Sequence, residues 1–142
     1  MKKDIRKEDA RFVVRRSVGR GFGLYANVRI KKGDFVLEYT GQMIPTPVAN
    51  TMTTRYLFEI DDKWTIDGST RGNIARYINH SCDPNCEVYI EKDRLMIYSM
   101  KTIVPGDELT YDYGDEYFDE FLRPAGCLCG SANCKKPAKK VK

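Results

Sequence analysis

The segment from Arg76 to Cys86 concentrates side chains that bind ligands. This run, RYINHSCDPNC, holds the only histidine of the chain, His80, and two of its five cysteines, Cys82 and Cys86. Asn and Asp bond to nearby backbone and Pro presets φ, so the composition predicts a strand that ends in a tight, side-chain-bonded turn. A buried turn of this kind indicates a ligand-binding function.

A second cluster of chemically active residues is CLCGSANC, near the C-terminus. Cys127 and Cys129 are two residues apart and share one face of an extended chain, and Gly130 allows the backbone to reverse and return Cys134. Structural zinc takes four ligands in a closed tetrahedron. The spacing therefore predicts a structural zinc ion, with Cys82 or Cys86 as the fourth ligand.

Length and composition indicate one soluble domain: 142 residues, 42% hydrophobic and 31% charged. No apolar run approaches the roughly 20 residues that span a bilayer, and no apolar segment of a signal peptide follows the basic N-terminus. We therefore expect an intracellular protein without membrane contact. An odd number of cysteines without an export signal favours reduced or metal-bound thiols.

Charge is unevenly distributed along the chain. Residues 1–16 carry a net +4, residues 107–120 contain seven acids and no base, and residues 135–142 contain five lysines. The acidic block alternates with aromatic residues and would attract a basic peptide, unless it is a solvated face. The basic ends are either solvated tails, a nuclear address or a weak contact for nucleic acid.

Short runs of β-branched and aromatic residues, separated by turn residues, must position these groups. Strands are predicted at 12–14, 35–39, 56–60, 64–66, 86–90, 94–99 and 108–113. A tight glycine loop is expected at 19–23, a short helix at 48–55, and a helical turn or a strand at 73–78. Closely spaced turns between short strands predict a β-rich fold, mainly β with short helices.

Six motifs occur in a characteristic order: GRGFG, EYTG, YLFEID, GNIARYINHSCDPNC, ELTYDYGD and CLCGSANC. With them the chain resembles the SET-domain protein-lysine methyltransferases followed by a post-SET zinc segment, from about Ser17 to Cys134. The resemblance implies small sheets with a C-terminal pseudoknot, in which the last strand region lies beside NHSC. It also implies S-adenosylmethionine (SAM) as methyl donor.

The resemblance further implies a division of the chain. An N-terminal extension (1–10) precedes a SET catalytic domain (11–121), a post-SET zinc segment (122–136) and a basic tail (137–142). No cysteine-rich pre-SET segment precedes Arg11, so we expect either a minimal domain or a catalytic core without its usual N-terminal brace.

Cofactor-binding residues follow from the resemblance. They are Arg20, Gly21, Phe22, Gly23, Tyr56, Arg76, Tyr77, Asn79, His80 and Leu128. The glycine loop would approach the methionine end of SAM, and the asparagine amide would bind its amino group. Relatives often carry an aromatic residue after the last zinc cysteine, which this chain lacks, so Leu128 or an upstream residue would cover the adenine.

The resemblance also assigns catalytic and metal-binding roles. Tyr113 corresponds to the catalytic tyrosine, Tyr39 to a second channel tyrosine, and Tyr56 to a tyrosine near the cofactor and the target lysine. The zinc ligands would be Cys82, Cys127, Cys129 and Cys134, which leaves Cys86 as a buried free thiol. A hydroxyl at Tyr111 would leave less room for bulkier amines, so mono- or dimethylation is expected.

The implied substrate is a basic, lysine-containing protein such as a histone tail or another nucleic-acid-associated protein. The compartment would be the nucleus or chromosome in a eukaryote or a delivered protein, and otherwise the cytoplasm. Oligomeric state is left open. The alternative function is a catalytically inactive, zinc-stabilised module that binds peptide or nucleic acid, against which the presence of Tyr39, Asn79, His80 and Tyr113 together argues.

Overall fold

The protein was analysed as a computed structural model that describes residues 10–17, 21–54, 56–70 and 72–114. The expected zinc segment, Arg20 and Leu128 lie outside these residues. Within them, strands in small sheets dominate and helix is scarce, which confirms the predicted β-rich fold.

An antiparallel hairpin begins the described chain. β1 (Phe12–Ser17) pairs with β2 (Gly21–Ala26), with Phe12 opposite Ala26 and Ser17 opposite Gly21. The glycine loop predicted at 19–23 is therefore partly wrong, because residues 21–23 already belong to β2. Gly21 has a φ of 74°, a left-handed conformation that glycine adopts without strain.

A three-stranded antiparallel sheet forms the central layer. Its order is β3 (Phe35–Tyr39), β9 (Arg94–Ser99) and β8 (Cys86–Glu91). The predicted hairpin between β8 and β9 is confirmed. Its turn residues Lys92 and Asp93 have φ values of 51° and 63°, the positive values that a two-residue hairpin turn requires.

A second three-stranded sheet lies between β3 and the NHSC segment in sequence. Its strands, in their order across the sheet, are β4 (Gln42–Pro45), β6 (Trp64–Asp67) and β5 (Leu57–Glu59). The helix predicted at 48–55 is instead α1 (Thr46–Ala49). It begins upstream because Pro47 lies in its first turn, where a missing N–H costs no intrahelical hydrogen bond.

Two very short strands form the fourth sheet. β7 (Asn79–His80) follows a 3₁₀ helix (Ile74–Tyr77) and runs parallel to β10 (Thr110–Tyr111). The strand predicted at 108–113 is shorter than expected, because residues 107–109 bond to β2 before β10 begins: Ala26 N donates to Asp107 O and Leu109 N to Leu24 O. This crossing places the C-terminal strand region beside NHSC, as the resemblance implies.

One apolar core unites the sheets. Its largest fully buried side chains are aliphatic: Leu24, Val36, Ile78, Leu95, Ile97, Ile103 and Leu109. In the described ranges, no helix is long and apolar enough to cross a membrane.

Candidate active site

The turn after β7 is fastened by side chains, as its composition predicts. Ser81 Oγ accepts a hydrogen bond from Asp83 N at 3.0 Å. Asn85 acts as a surrogate strand partner, because its Nδ2 donates to Glu108 O at 2.9 Å and its Oδ1 accepts from Thr110 N at 2.9 Å. These bonds hold residues 108–111 beside β7, next to the candidate site.

His80 is buried and contacts both neighbouring segments. Its Nδ1 accepts a hydrogen bond from Tyr113 N at 3.0 Å, and its Nε2 lies 3.2 Å from Cys82 Sγ. Since an accepting Nδ1 bears no proton, the neutral ring carries its proton on Nε2 and donates it to the sulfur. Asp112 Oδ1, 3.7 Å from Nδ1, accepts from Gly114 N at 2.9 Å, so we assign it a turn-forming role.

A continuous row of aromatic rings begins at His80. Ring centroids are 5.4 Å apart for His80 and Tyr113, 5.0 Å for Tyr113 and Tyr111, 6.3 Å for Tyr111 and Phe58, and 5.5 Å for Phe58 and Tyr39. The row brings together three of the predicted catalytic tyrosines. Phe58 was not predicted as a site residue, although its place in the alternating YLFEI strand could have indicated that it faces inward.

Two tyrosine hydroxyls in this row donate to main-chain carbonyls. Tyr113 Oη donates to Ile78 O in a short hydrogen bond, and Tyr39 Oη donates to Tyr56 O at 2.8 Å. With the hydrogens directed at the carbonyls, each hydroxyl oxygen presents its lone pairs as acceptors. Both oxygens can therefore accept a hydrogen bond from an amine.

Gly68 makes room for the Tyr39 ring. A Cβ at this position would lie 2.6 Å from Tyr39 Cζ, closer than real side chains approach. The neighbouring loop is held by the buried Asn73, which donates to Gly68 O and accepts from Thr40 N, each at 3.0 Å. The end of β3 and the residues after β6 therefore fix the position of Tyr39 together.

Tyr56 is the predicted catalytic tyrosine that lies apart from the row. Its ring stacks on the Arg76 guanidinium, at 5.1 Å, and its carbonyl holds Tyr39. Arg76 also stacks on Tyr77 and donates to its hydroxyl at 2.9 Å. Among the described residues, the buried Nε of Arg76 has no hydrogen-bond partner.

Asn79 links the hairpin to the crossing strand. Its Nδ2 donates to Phe22 O at 2.9 Å and to Glu108 Oε2 at 2.7 Å. Glu108 Oε1 also accepts from Ser17 Oγ at 3.1 Å. A Cβ on Gly23 would lie 2.9 Å from the Glu108 carboxyl carbon, so only glycine permits this packing.

Glu108 is the functional candidate that sequence analysis missed. It was grouped with the acidic block 107–120 as a candidate peptide-attracting wall, but it points inward and accepts from Asn79, Ser17 and Tyr25. Asp107 caps a turn by accepting from Val104 N at 3.0 Å. The described carboxylates of the block are thus engaged within the fold, and residues 115–120 lie outside the described ranges.

The described cysteines have different surroundings. Cys86 is fully buried, and burial raises the pKa of its thiol to about 12 from an ordinary 9.0. Cys82 is half-buried beside His80. In the part of the chain that the structure describes, no group of three or more metal-binding side chains comes together, and Cys127, Cys129 and Cys134 lie outside it.

Comparison with known proteins identifies close relatives. Residues 21–114 match the SET domain. The chain is 41% identical to a histone-lysine N-methyltransferase, H3 lysine-4 specific, of Emericella nidulans, over 92% of this chain and 12% of the relative. The protein of the same description from Saccharomyces cerevisiae is 40% identical over 84% of this chain and 12% of its own length. The chain thus spans about an eighth of the relatives it matches.

Proposed function

The chain belongs to the SET domain family, and we propose from this premise and the site geometry that it is a SAM-dependent protein-lysine N-methyltransferase. The observation that carries the proposal is the aromatic row from Tyr39 to Tyr113, which ends against the Asn79–His80 pair. Such a row would line an apolar channel with hydroxyl acceptors, which suits a lysine side chain.

The described residues fit the chemical groups of SAM. Both hydrogen bonds of the Asn79 amide described above use its Nδ2, which leaves Oδ1 as an acceptor for the amino group of SAM, and Glu108 adds negative charge beside it. The buried Nε of Arg76 is a donor suited to a carboxylate. The cofactor supplies an electrophilic methyl group on a sulfonium sulfur.

The channel residues would prepare lysine for attack. A free lysine has a pKa of about 10.4, and an apolar, aromatic surrounding favours its neutral form. Tyr39 and Tyr113, with their hydrogens held by carbonyls, would accept hydrogen bonds from the neutral amine and orient its lone pair. Positioning of this kind is the main contribution that in-line transfer needs, so we assign no general base.

We propose histone H3 as the substrate class and the nucleus as the compartment, because the relatives are described as H3 lysine-4 methyltransferases. Mono- or dimethylation is proposed from the Tyr111 hydroxyl. The proposed domain division is the one given above, with the catalytic unit at 11–121 and the zinc segment at 122–136. Contact of the basic tail with nucleic acid stays a secondary proposal.

We further propose one structural zinc ion bound by Cys82, Cys127, Cys129 and Cys134. The supporting observation is the His80 Nε2–H directed at Cys82 Sγ, since a metal-bound thiolate is the form of cysteine that accepts such a bond best. Bound zinc would tie the C-terminal segment to the turn after β7. Its presence is tested by metal analysis of the purified chain and of Cys82→Ser.

Methyl transfer from labelled SAM to recombinant histone H3 tests the function. Tyr113→Phe is the key variant, and we expect it to reduce turnover at least tenfold while SAM affinity by calorimetry changes less than about twofold. Labelling of H3 that survives in the variant would contradict the role of Tyr113. SAM binding without labelling of any histone would exclude the substrate class, and absence of both would favour the inactive binding module.

A further inference from the structure

The outer face of the central sheet carries an aromatic groove away from the candidate active site. We define this groove by the rings of Tyr89 and Tyr98 and the carboxylates of Glu87 and Glu91, with the Phe35 ring beside it. It has a volume of about 360 Å³, and Gly33 also contributes to its lining. Phe35 is 44% exposed and Tyr89 50% exposed, so within the described part of the structure both rings present apolar surface to solvent.

Strand pairing arranges the groove. Tyr98 lies opposite Phe35 on β3 and opposite Glu87 on β8, so the three side chains share one face. The Tyr98 ring is 5.8 Å from Phe35 at 72° and 5.7 Å from Tyr89 at 68°. These distances and angles are those of edge-to-face aromatic pairs, so the three rings form one continuous aromatic surface.

The carboxylates are oriented by the tyrosines. Tyr98 Oη donates to Glu91 Oε2 at 2.8 Å, and this hydrogen bond raises the pKa of Tyr98. Tyr89 Oη donates to Glu87 Oε1 in a short hydrogen bond. Each tyrosine hydroxyl thereby holds one carboxylate at the edge of the groove.

The pKa of the Arg94 guanidinium is raised chiefly by its hydrogen bond to Glu38 and to a smaller extent by the charge of Glu91, so Arg94 offsets only part of the charge of the groove. Arg94 lies opposite Glu91 in the strand register, but its guanidinium donates to Glu38 at 2.7 and 3.2 Å. Among the described residues, arginines stack on other rings: Phe12, Tyr25, Phe22, Tyr56 and Tyr77. Aromatic walls with fixed carboxylates are the surroundings in which a lysine or arginine side chain binds by cation–π and ionic attraction.

We propose that this groove is an exosite for a lysine- or arginine-rich flank of the polypeptide substrate. β3 begins at Phe35 beside the groove and ends at Tyr39 in the aromatic row. The two residues are about 13 Å apart along the strand at roughly 3.3 Å per residue, but Phe35 pairs with Tyr98 on the outer face and Tyr39 is buried on the inner one. A substrate flank must therefore pass around the edge of the sheet, which takes more than about four extended residues. Basic residues on a flank at least that long would reach the groove while the target lysine occupies the channel.

Direct binding tests the exosite without depending on catalysis. The probe is a synthetic peptide of four lysines alternating with glycine, with the glutamate–glycine equivalent as its negative control. The groove variant, Glu87→Gln/Glu91→Gln, removes two charges from the groove. The matched control, Glu59→Gln/Asp62→Asn, removes two charges from β5 and the turn that follows it. We expect the groove variant to weaken lysine-peptide binding about fivefold to tenfold and the control to leave it unchanged. NMR shifts on titration should centre on Tyr89 and Tyr98.

A kinetic measurement then connects the exosite with the proposed function. The identity of the bound flank as part of a methylation substrate rests on that function. The groove variant should raise KM for an H3 peptide that continues eight residues beyond the target lysine, without changing kcat. For a peptide that ends two residues beyond the target lysine, KM should not change. Equal binding by the groove and control variants, or shifts away from the groove, would overturn the exosite. Lysine-peptide binding at the groove without methyl transfer would count against the proposed function alone.

Tyr89→Leu provides a second variant that does not threaten the core, because the ring is half exposed. It removes one wall and keeps both glutamates. We expect about a threefold loss of lysine-peptide affinity with the same melting temperature. Unchanged affinity in this variant would show that the groove is not an aromatic cation site.

Discussion

The main-chain N–H of Tyr113 donates a hydrogen bond to Nδ1 of the buried His80. The contact spans 33 residues of sequence and determines where the Tyr113 ring lies, because the ring packs edge-on against the same imidazole at 5.4 Å. The other imidazole nitrogen faces Cys82. One histidine thus connects the candidate catalytic tyrosine with the proposed zinc ligand.

Two substitutions of His80 separate these contacts. The amide of His80→Asn can imitate Nδ1 and keep the bond to Tyr113 N, whereas the amide of His80→Gln reaches the position of Nε2. We expect His80→Asn to retain more kcat and His80→Gln to retain more bound metal, with both less stable by about 1–3 kcal/mol. Turnover, metal content and denaturant unfolding measure the three effects, and identical kcat in the two variants would contradict this assignment.

Glu108→Gln removes the negative charge beside Asn79 and keeps the shape of the side chain. Gln can keep the geometry, since its carbonyl can accept from Asn79 and its amide can face the hydroxyls of Ser17 and Tyr25. We expect SAM affinity to fall on the order of tenfold, because a hydrogen bond or close contact to a charged group contributes about 1.5–3 kcal/mol. Calorimetry measures this, with Asp107→Asn as the control of equal charge. Equal SAM affinity in both variants would remove Glu108 from the cofactor site.

Tyr111→Phe should change the product. Tyr111 is buried with its ring 5.0 Å from that of Tyr113, so loss of its hydroxyl frees space inside the row. We expect the unmodified protein to yield mono- and dimethyl-lysine and the variant to add trimethyl-lysine. Mass spectrometry of an H3 peptide distinguishes the products, and trimethylation by the unmodified protein would refute the steric argument.

Gly68→Ala should affect catalysis through Tyr39. The added Cβ would collide with the Tyr39 ring and Asn73, so the ring must move out of the row. Gly106→Ala is the control: its φ of 96° makes alanine strained, but nothing lies within 4 Å of the new Cβ. Both variants should lose about 1–3 kcal/mol of stability. Only Gly68→Ala should lower kcat, by at least tenfold; equal kcat in the two variants would argue against a positioning role for Gly68.

The buried thiol of Cys86 predicts alkaline instability. Its pKa is raised to about 12 in the folded protein from an ordinary 9.0, so above pH 9 the unfolded chain releases a proton that the folded chain keeps. The stability present below pH 9 should therefore decline by up to about 1.4 kcal/mol per pH unit as pH rises towards 12. Urea unfolding between pH 8 and about 10.5 measures this slope, and Cys86→Ala should flatten it. An unchanged slope in Cys86→Ala would assign the effect to other groups.

The sequence by itself determined the local elements and the chemistry available to the site. The hairpin from β8 to β9 and the bonded turn after NHSC depend on periodicity and turn chemistry within a few residues. The motifs were also sufficient to identify the SET family, because side-chain types and their order are properties of the linear chain.

Only the tertiary structure decided which groups meet. Glu108 looked like one acid of a solvated block, and its inward position follows from residues 107–109 bonding to β2. Phe58 enters the aromatic row through packing between two sheets, and the last strand is cut to Thr110–Tyr111 by that same crossing. Contacts between residues 29 to 57 positions apart, such as those of Asn79, depend on how the strands cross, which no local pattern encodes.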